Sequence, residues 1–272
     1  MIRESERLAF ELCCRRVASG ELRGEGIGTF SENRLHKILK YYFCDDEACH
    51  EVRIKPDGGA VTDPEERSRG AESGRGGFIA DVFKDGKIIE IQTGGFYPLR
   101  PKLEFYLNNT SYDVTVVHPI AAKNWVTWIN TEDGSLSKRS RSPKKGVATD
   151  VLPEIFWLSE SLNNERLHVK ILLLEIDEYS LLDGWSKNKK RGSNRYDRVP
   201  TELIDIVEFD AKNYAQVLMP QGLSEKFHSG EFSKLTKFKG RKLSYVLKLL
   251  CVTGAIERGE RTAKGYVYSI KK

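Results

Sequence analysis

The sequence predicts an α/β fold in which a mixed β-sheet is flanked by helices, followed by a small C-terminal domain of different character. Three observations support this prediction. Amphipathic stretches at helical spacing alternate with β-branched runs, a tight-turn signal joins two of the strands, and the C-terminal end combines a helical stripe with a hairpin pattern. We therefore expect two domains, residues 1–212 and residues 213–272.

The first domain begins with two predicted helices. Glu4–Val17 place apolar side chains at helical spacing, and a second helix is expected from Ser31, a good N-cap, to Phe43. Glu32 lies in the first turn of this second helix, where a carboxylate either compensates the helix dipole or faces the sheet. Both interpretations stay open. A strand is expected at His50–Ile54, and a long polar surface loop follows it.

The most informative stretch, from Phe78 to Gly95, reads FIADVFKDGKIIEIQTGG. It predicts two strands joined at Asp85-Gly86, the dipeptide that two-residue hairpin turns prefer. Counting back from the turn gives four opposed pairs: Lys84 with Lys87, Phe83 with Ile88, Val82 with Ile89, and Asp81 with Glu90. Side chains alternate faces along a strand. The polar face then holds Asp81, Glu90 and Gln92, and the apolar face holds Ala80, Val82, Ile89 and Ile91.

Asp81 and Glu90 face each other in this register, with Cβ atoms roughly 4.5–5.5 Å apart. Opposed carboxylates repel each other, so a divalent cation that prefers hard oxygen ligands is the natural group to place between them. The alternative is a pair of acidic residues on the wet face of a hairpin. Three details favour the metal: Glu90 and Gln92 interrupt an isoleucine run that should be buried, the turn is already polar without them, and basic Arg100 and Lys102 follow near the end of this strand.

Further helices and strands are expected beyond this hairpin. They are a helix at Lys102–Leu107, strands at Tyr112–His118 and Trp125–Asn130, a helix at Leu152–Leu162 and a strand at Val169–Ile176. The basic segments Ser137–Lys145 and Ser186–Arg198 are expected to be loops that follow a nucleic-acid backbone.

Positive charge is concentrated near the C-terminus. The whole chain has a formal net charge of +5, whereas residues 224–272 contain 12 Lys and Arg against 4 Asp and Glu, a net charge of +8. Such a concentration is typical of a surface that contacts phosphates.

The C-terminal residues have the pattern of a winged helix-turn-helix domain. Apolar residues from Leu243 to Cys251 repeat at helical spacing, and Gly254 ends that helix. The segments Ala255–Arg258 and Tyr266–Ile270 then alternate like a hairpin. The residues expected to bind nucleic acid here are Lys237, Lys239, Arg241, Lys242, Lys248, Arg261 and Lys264. The alternative is a solvated helix in a winged helix that binds protein.

Composition argues against several classes of protein. No apolar run approaches the ~20 residues of a membrane span, and the N-terminus lacks a signal-peptide pattern. The five cysteines are an odd number, two of them adjacent at Cys13 and Cys14, which suits a reducing compartment. We therefore expect a cytoplasmic protein without a membrane partner.

The helix with Glu32, the strand with Asp81 and the strand reading Glu90-Ile91-Gln92 resemble the PD-(D/E)xK nuclease superfamily, which has the restriction-endonuclease-like fold. The resemblance covers roughly residues 28–180. It implies that Asp81 and Glu90 bind a catalytic metal, Mg²⁺ or Mn²⁺. It also implies that Gln92 orients the attacking water and that Glu32 is an auxiliary ligand. The third motif position is usually Lys, which supplies a positive charge, whereas Gln92 supplies only dipoles.

This combination predicts a metal-dependent nuclease, expected to be an endonuclease that acts on DNA. Arg100 and Lys102, near the end of the strand that carries Glu90 and Gln92, are expected to contact the nucleic acid. The alternative is a catalytically inactive, nuclease-like regulator or adaptor that binds DNA. A metal ion between Asp81 and Glu90 favours the enzyme, whereas an ion pair from Arg100 or Lys102 in that gap favours the adaptor. RNA as the nucleic acid and a homodimer both stay open.

Overall fold

A mixed β-sheet forms the centre of the molecule, and helices cover both of its sides. The computed structural model describes residues 2–20, 34–61, 77–182, 194–210 and 212–271. The helices are α1 (Glu4–Ser19), α2 (Arg34–Phe43), α3 (Arg100–Asn109), α4 (Leu152–Ile155), α5 (Tyr214–Leu218), α6 (Ser229–Thr236) and α7 (Gly240–Val252). Short 3₁₀ turns lie at Glu47–Cys49, Tyr97–Leu99, Ala148–Val151 and Phe156–Leu158.

Eight strands form the large sheet. They are β1 (His50–Ile54), β2 (Ala60–Val61), β3 (Phe78–Lys84), β4 (Lys87–Ile91), β5 (Asp113–Asn130), β6 (Ser140–Arg141), β7 (Leu167–Leu182) and β8 (Asn194–Asp210). Their order is β2-β1-β3-β4-β5-β7-β8, with β6 paired to β5. Strands β4, β5 and β7 are parallel, and the outer pairs are antiparallel. The predicted α/β class, a mixed sheet flanked by helices, is confirmed.

The hairpin of β3 and β4 has the predicted turn and the three predicted pairs nearest to it. Lys84 pairs with Lys87, Phe83 with Ile88, and Val82 with Ile89. Asp85 and Gly86 have φ angles of 50° and 73°. Two successive positive φ values are the signature of a type I′ turn, whose twist matches that of the strands it joins.

Helix α3 connects β4 to β5. Parallel neighbours cannot be joined by a tight turn and need a crossover, which here is this helix. Its buried residues Leu103, Tyr106 and Leu107 pack against the sheet. The strand that carries Glu90 is therefore followed directly by a helix that returns across the sheet beside it.

Two hydrophobic clusters lie on opposite sides of the sheet. One contains buried residues of α1 and α2 together with Ile91 and Val117, and the other contains α3, α4, Ile88 and residues of the C-terminal unit. Strand β4 thus alternates as predicted. Ala80 does not follow the prediction, because it packs in the cluster of Ile88. The left-handed backbone of Glu51, opposite this part of β3, interrupts the regular pleat.

Several boundaries differ from the sequence prediction. The two strands expected at Tyr112–His118 and Trp125–Asn130 are parts of the single strand β5, because its backbone pairs with β7 along almost the whole length. The end of the basic segment expected to be a loop, Arg195–Arg198, lies in β8. These polar sequences do not predict strands by themselves. They form strands because the long neighbouring strand β7 supplies backbone hydrogen bonds.

The C-terminal unit has its own three-stranded sheet. Strands β9 (Lys226–His228), β10 (Ile256–Thr262) and β11 (Gly265–Ile270) are arranged in the order β10-β11-β9. Gly254, with φ 75°, follows the end of α7 as predicted. The ring of Tyr245 in α7 stacks on Phe156 with a centroid distance of 4.8 Å, so the C-terminal unit packs against the segment after α4.

We predict that Gly77→Ala destabilises the protein far more than Gly134→Ala. Both glycines have positive φ, 117° and 71°, so alanine is strained at each by roughly 1–2 kcal/mol. Only at Gly77 would the added Cβ also collide with a neighbour, the carbonyl oxygen of Ile54 at 2.1 Å. Urea denaturation of the two variants measures the difference; equal free energies of unfolding would contradict this packing of β3 against β1.

Candidate functional site

The two strands of the hairpin separate beyond Val82 and Ile89, and the side chain of Asp81 fills the gap. The regular pairing ends at these two residues. The backbone N–H of Ile91 instead donates to Asp81 Oδ2 at 2.7 Å. Asp81 is therefore not the ladder partner of Glu90 that simple counting predicts. Its carboxylate replaces a backbone acceptor, which fixes it at the open end of the hairpin.

His36 reaches Asp81 from helix α2. Its Nε2 lies 3.3 Å from Asp81 Oδ2. Burial by itself would raise the pKa of Asp81, but the hydrogen bond and charge of His36, together with Lys102 and the Ile91 N–H, outweigh it and lower that pKa. Asp81 is therefore held in its ionised form.

Glu90 is the most deeply buried acidic group of the site, with a side chain only 3% exposed. Lys102 Nζ donates to its Oε2 at 2.6 Å, and Tyr106 Oη donates to its Oε1 at 3.1 Å. Burial raises the pKa of Glu90 to about 7, and the charge of Asp81 adds to this rise, while Lys102 opposes it. Asp81 and Glu90 thus interact as two negative groups with a shared cation, Lys102.

Gln92 continues β4 towards a glycine loop. Its Nε2 donates to the carbonyl oxygen of Gly95 at 2.6 Å, so the amide nitrogen is held away from the carboxylates. Its backbone oxygen accepts from Nδ1 of His118 in β5 at 2.6 Å. Burial lowers the pKa of His118. This neutral imidazole fixes the backbone at Gln92.

Ligands for a metal ion are few in this part of the molecule. Within the described ranges, no group of three or more His, Cys, Asp or Glu side chains is placed to hold an ion together. Asp81 and Glu90 supply two carboxylates, and Gln92 adds an amide oxygen nearby in the chain. Glu32, the predicted auxiliary ligand, lies outside the described residues.

The structure places the predicted nucleic-acid residues in two different settings. Six of them are exposed near the start of α7 and at the tip of the β10–β11 hairpin: Lys237, Lys239, Arg241, Lys242, Arg261 and Lys264. The other three have protein contacts. Lys102 binds Glu90, Arg100 pairs with Glu160 at 2.6 Å, and Lys248 Nζ lies 5.9 Å from the centre of the Phe156 ring.

The basic segments also differ from one another. Arg139 pairs with Asp177 at 2.7 Å and lies 4.0 Å above the Trp125 ring, so it belongs to the surface of the sheet. Arg141, Lys144 and Lys145 are exposed. Much of the second basic segment, up to residue 193, lies outside the described residues.

Two site residues escaped sequence reasoning. Tyr106 was not expected beside Glu90, nor His118 beside the backbone of Gln92. Lys102 was expected to contact nucleic acid or, in the adaptor alternative, to form an ion pair in the gap between the carboxylates, and the structure shows its ion pair with Glu90. One signal was available: Lys102 and Tyr106 are four residues apart in a predicted helix, so they share a face. Knowing that this face turns towards β4 requires the crossover geometry.

We predict that Glu90→Gln removes a fall in stability between about pH 4.5 and about pH 7. In this window the folded protein keeps a proton on Glu90 that the unfolded chain has lost, so stability decreases as pH rises through it. The full effect is roughly 3 kcal/mol at 1.36 kcal/mol per pKa unit. Urea denaturation in the presence of EDTA measures it. Glu104→Gln, an exposed neighbour on α3, should keep the wild-type slope; an unchanged slope in Glu90→Gln would contradict the burial of this carboxylate.

Comparison with known proteins finds a relative and a matching family model. No solved structure matches this chain. A protein of Treponema pallidum (strain Nichols), described as an uncharacterized protein, is 28% identical over 194 residues, which cover 71% of this chain and 68% of that protein. A family model described as a domain of unknown function (DUF8091) matches residues 62–210, which is more than half of the chain and includes Asp81, Glu90 and Lys102. The chain therefore belongs to the DUF8091 domain family.

Proposed function

We propose that this protein is a metal-dependent nuclease that hydrolyses phosphodiester bonds in DNA. One juxtaposition carries the proposal: Asp81, the buried Glu90 and the ammonium of Lys102 meet where β3 and β4 separate. Phosphodiester hydrolysis needs ligands for a divalent ion and a positive charge for the phosphate. These three side chains supply both.

The order of the elements also supports the proposal. Helix α2 is followed by the antiparallel strands β1, β3 and β4, and then by the crossover helix α3 and the parallel strand β5. The resemblance to PD-(D/E)xK nucleases calls for acidic residues on two successive strands at one end of a mixed sheet. Asp81 in β3 and Glu90 in β4 meet that requirement.

The donor set suits magnesium or manganese. Mg²⁺ is commonly held in proteins by one or two carboxylates, with water and substrate phosphate completing its shell. Asp81 and Glu90 would hold it, and the side-chain oxygen of Gln92 is a further hard donor. When bound, the ion would lower the pKa of a coordinated water and neutralise phosphate charge.

Lys102 supplies the positive charge that Gln92 lacks. Its ammonium enters the site from α3, and the side chain stays 20% exposed, whereas that of Glu90 is 3% exposed. A phosphate that approaches Glu90 from solvent therefore meets this ammonium, which stabilises negative charge developing on the phosphate oxygens. Tyr106 and the Ile91 N–H orient the two carboxylates.

The C-terminal unit supports DNA as the ligand. Helix α5, strand β9, helices α6 and α7 and the β10–β11 hairpin follow one another as in a winged helix-turn-helix domain. Exposed basic residues lie at the start of α7, among them Arg241 and Lys242, and at the hairpin tip, where Arg261 and Lys264 lie. We propose that this surface docks the duplex.

One contact favours a second function. The Lys102–Glu90 ion pair balances the negative charge that a metal ion would otherwise neutralise. If this pair persists in the presence of divalent ions, the protein is a nuclease-like DNA-binding regulator or adaptor without cleavage activity. Metal-dependent cleavage separates the two functions.

We predict that the full-length protein cleaves plasmid DNA with Mg²⁺ or Mn²⁺. Asp81→Asn, Glu90→Gln and Lys102→Met should each lower the rate roughly 100-fold or more, because each removes a metal ligand or the charge that stabilises the phosphate. Gel electrophoresis of the plasmid measures the rate.

Glu132→Gln is the control, since it neutralises an exposed carboxylate in the turn after β5, outside the site and the groove. Thermal melting of each variant establishes that it is folded. Cleavage that persists in both the Asp81→Ala and the Glu90→Ala variants would contradict the nuclease proposal. Absence of cleavage by the wild-type protein, with duplex binding intact, would instead favour the adaptor.

We predict that Lys242→Ala and Arg261→Ala each reduce the salt dependence of duplex binding. Every phosphate contact that is lost should lower the slope of log K against log salt by about 1. Fluorescence anisotropy with the full chain, without divalent ions, measures this slope. Lys84→Ala removes an exposed lysine at the end of β3 and should leave the slope unchanged. Equal slopes in all variants would contradict a phosphate-binding surface at the C-terminus.

A further inference from the structure

Tyr97 is an exposed aromatic residue just after the candidate site. It lies in the segment that connects β4 to α3, and 59% of its surface is accessible. The ring of Trp157, from the segment after α4, meets it edge-on with a centroid distance of 5.0 Å and an interplanar angle of 78°. The two rings form a corner with one open side.

Both rings line a groove of about 530 Å³. Its walls include Pro98 and Pro101, which are conformationally stiff, and its polar groups include the amides of Asn108 and Asn164. A flat ring inserted here would contact an aromatic face and meet hydrogen-bonding groups at its edge. This is the combination by which proteins bind unstacked nucleobases.

The charges of the groove favour an uncharged ring over a phosphate. Arg100 is already paired with Glu160 at 2.6 Å, and Glu104 adds a second carboxylate to the lining. A phosphate placed in the groove would meet net negative charge and be repelled. A neutral base carries no such penalty.

The aromatic corner also extends towards the C-terminal unit. Trp157 contacts Tyr245 of α7 at 5.8 Å between centroids, and Tyr245 stacks on Phe156 at 4.8 Å. Lys248 lies against the same Phe156 ring. A row of aromatic rings with a cation beside it is the kind of surface that a single strand follows by stacking.

Helix α3 separates this groove from the carboxylates. Residues at 100° intervals place Lys102 and Tyr106 on one side of the helix, and Arg100 and Glu104 on the other. The first pair binds Glu90, and the second pair lines the groove. A base in the groove would therefore belong to a nucleotide beyond the one whose phosphate lies at Lys102.

We propose that the groove between Tyr97 and Trp157 binds a nucleobase of an unpaired strand. This deepens the proposed function, on which it rests, by naming substrates with single-stranded segments as the preferred class. The base stacks on Tyr97, and the neighbouring backbone continues across α3 to the candidate centre.

The test is binding of a fluorescein-labelled oligothymidylate to the full-length protein in EDTA, where no metal-dependent cleavage takes place. Tyr97→Ala should weaken binding roughly five- to 150-fold, the range expected from loss of one stacked base. Tyr97→Phe keeps the ring and should bind within about twofold of wild type. Leu12→Ala, which removes another exposed large apolar side chain, on α1, is the control.

A duplex of the same length distinguishes base binding from backbone binding, and an oligouridylate shows whether DNA or RNA supplies the base more tightly. Tyr97→Ala should affect both single strands and spare the duplex. Unchanged single-strand binding in Tyr97→Ala, or an equal loss for the duplex, would overturn the proposal. Absence of cleavage by the wild-type protein would count against the nuclease and leave this binding result untouched.

Discussion

A carboxylate buried beside another carboxylate sets the constraint around which this site is built. Glu90 is almost inaccessible to water, and Asp81 adds negative charge next to it. Charge buried in this way is costly unless it is paired and hydrogen-bonded. Lys102 and Tyr106 meet that need for Glu90, and His36 and the Ile91 N–H meet it for Asp81.

The sheet topology brings these partners together. Because β4 and β5 are parallel, the chain must cross the sheet between them, and α3 is the crossover. The helix therefore packs over the strand that carries Glu90 and brings Lys102 to it. The opposite side of the same helix carries Arg100 and Glu104, which line the groove between Tyr97 and Trp157. One connection thus supports both the carboxylate site and the neighbouring aromatic corner.

The C-terminal unit is joined to this arrangement by aromatic packing. Tyr245 in α7 lies against Phe156 and Trp157, which follow α4. The exposed basic side chains of the unit lie elsewhere, at the start of α7 and at the hairpin tip. The exposed basic side chains and the aromatic contact with the segment after α4 therefore lie on different surfaces of the same small unit.

The sequence by itself determined the elements that depend on local chemistry. The Asp85-Gly86 turn fixed the register of β3 and β4, the apolar periodicity located α1, α3 and α7, and charge counting located the basic C-terminus. Turn conformation, helical spacing and charge density are properties of residues close together in the chain. For that reason these three properties can be predicted from the sequence without knowledge of the fold.

Only the tertiary structure decided how distant residues meet. The end of the β3–β4 pairing at Val82 and Ile89, and the hydrogen bond of the Ile91 N–H to Asp81 beyond it, appear only in the fold. The meeting of Lys102 with Glu90 depends on the path of a crossover helix, and the length of β5 and β8 depends on pairing with β7. Each is a contact between segments that are far apart in the chain. Neither segment's sequence predicts the contact, because the burial and strand pairing of one segment depend on the other segment that packs against it.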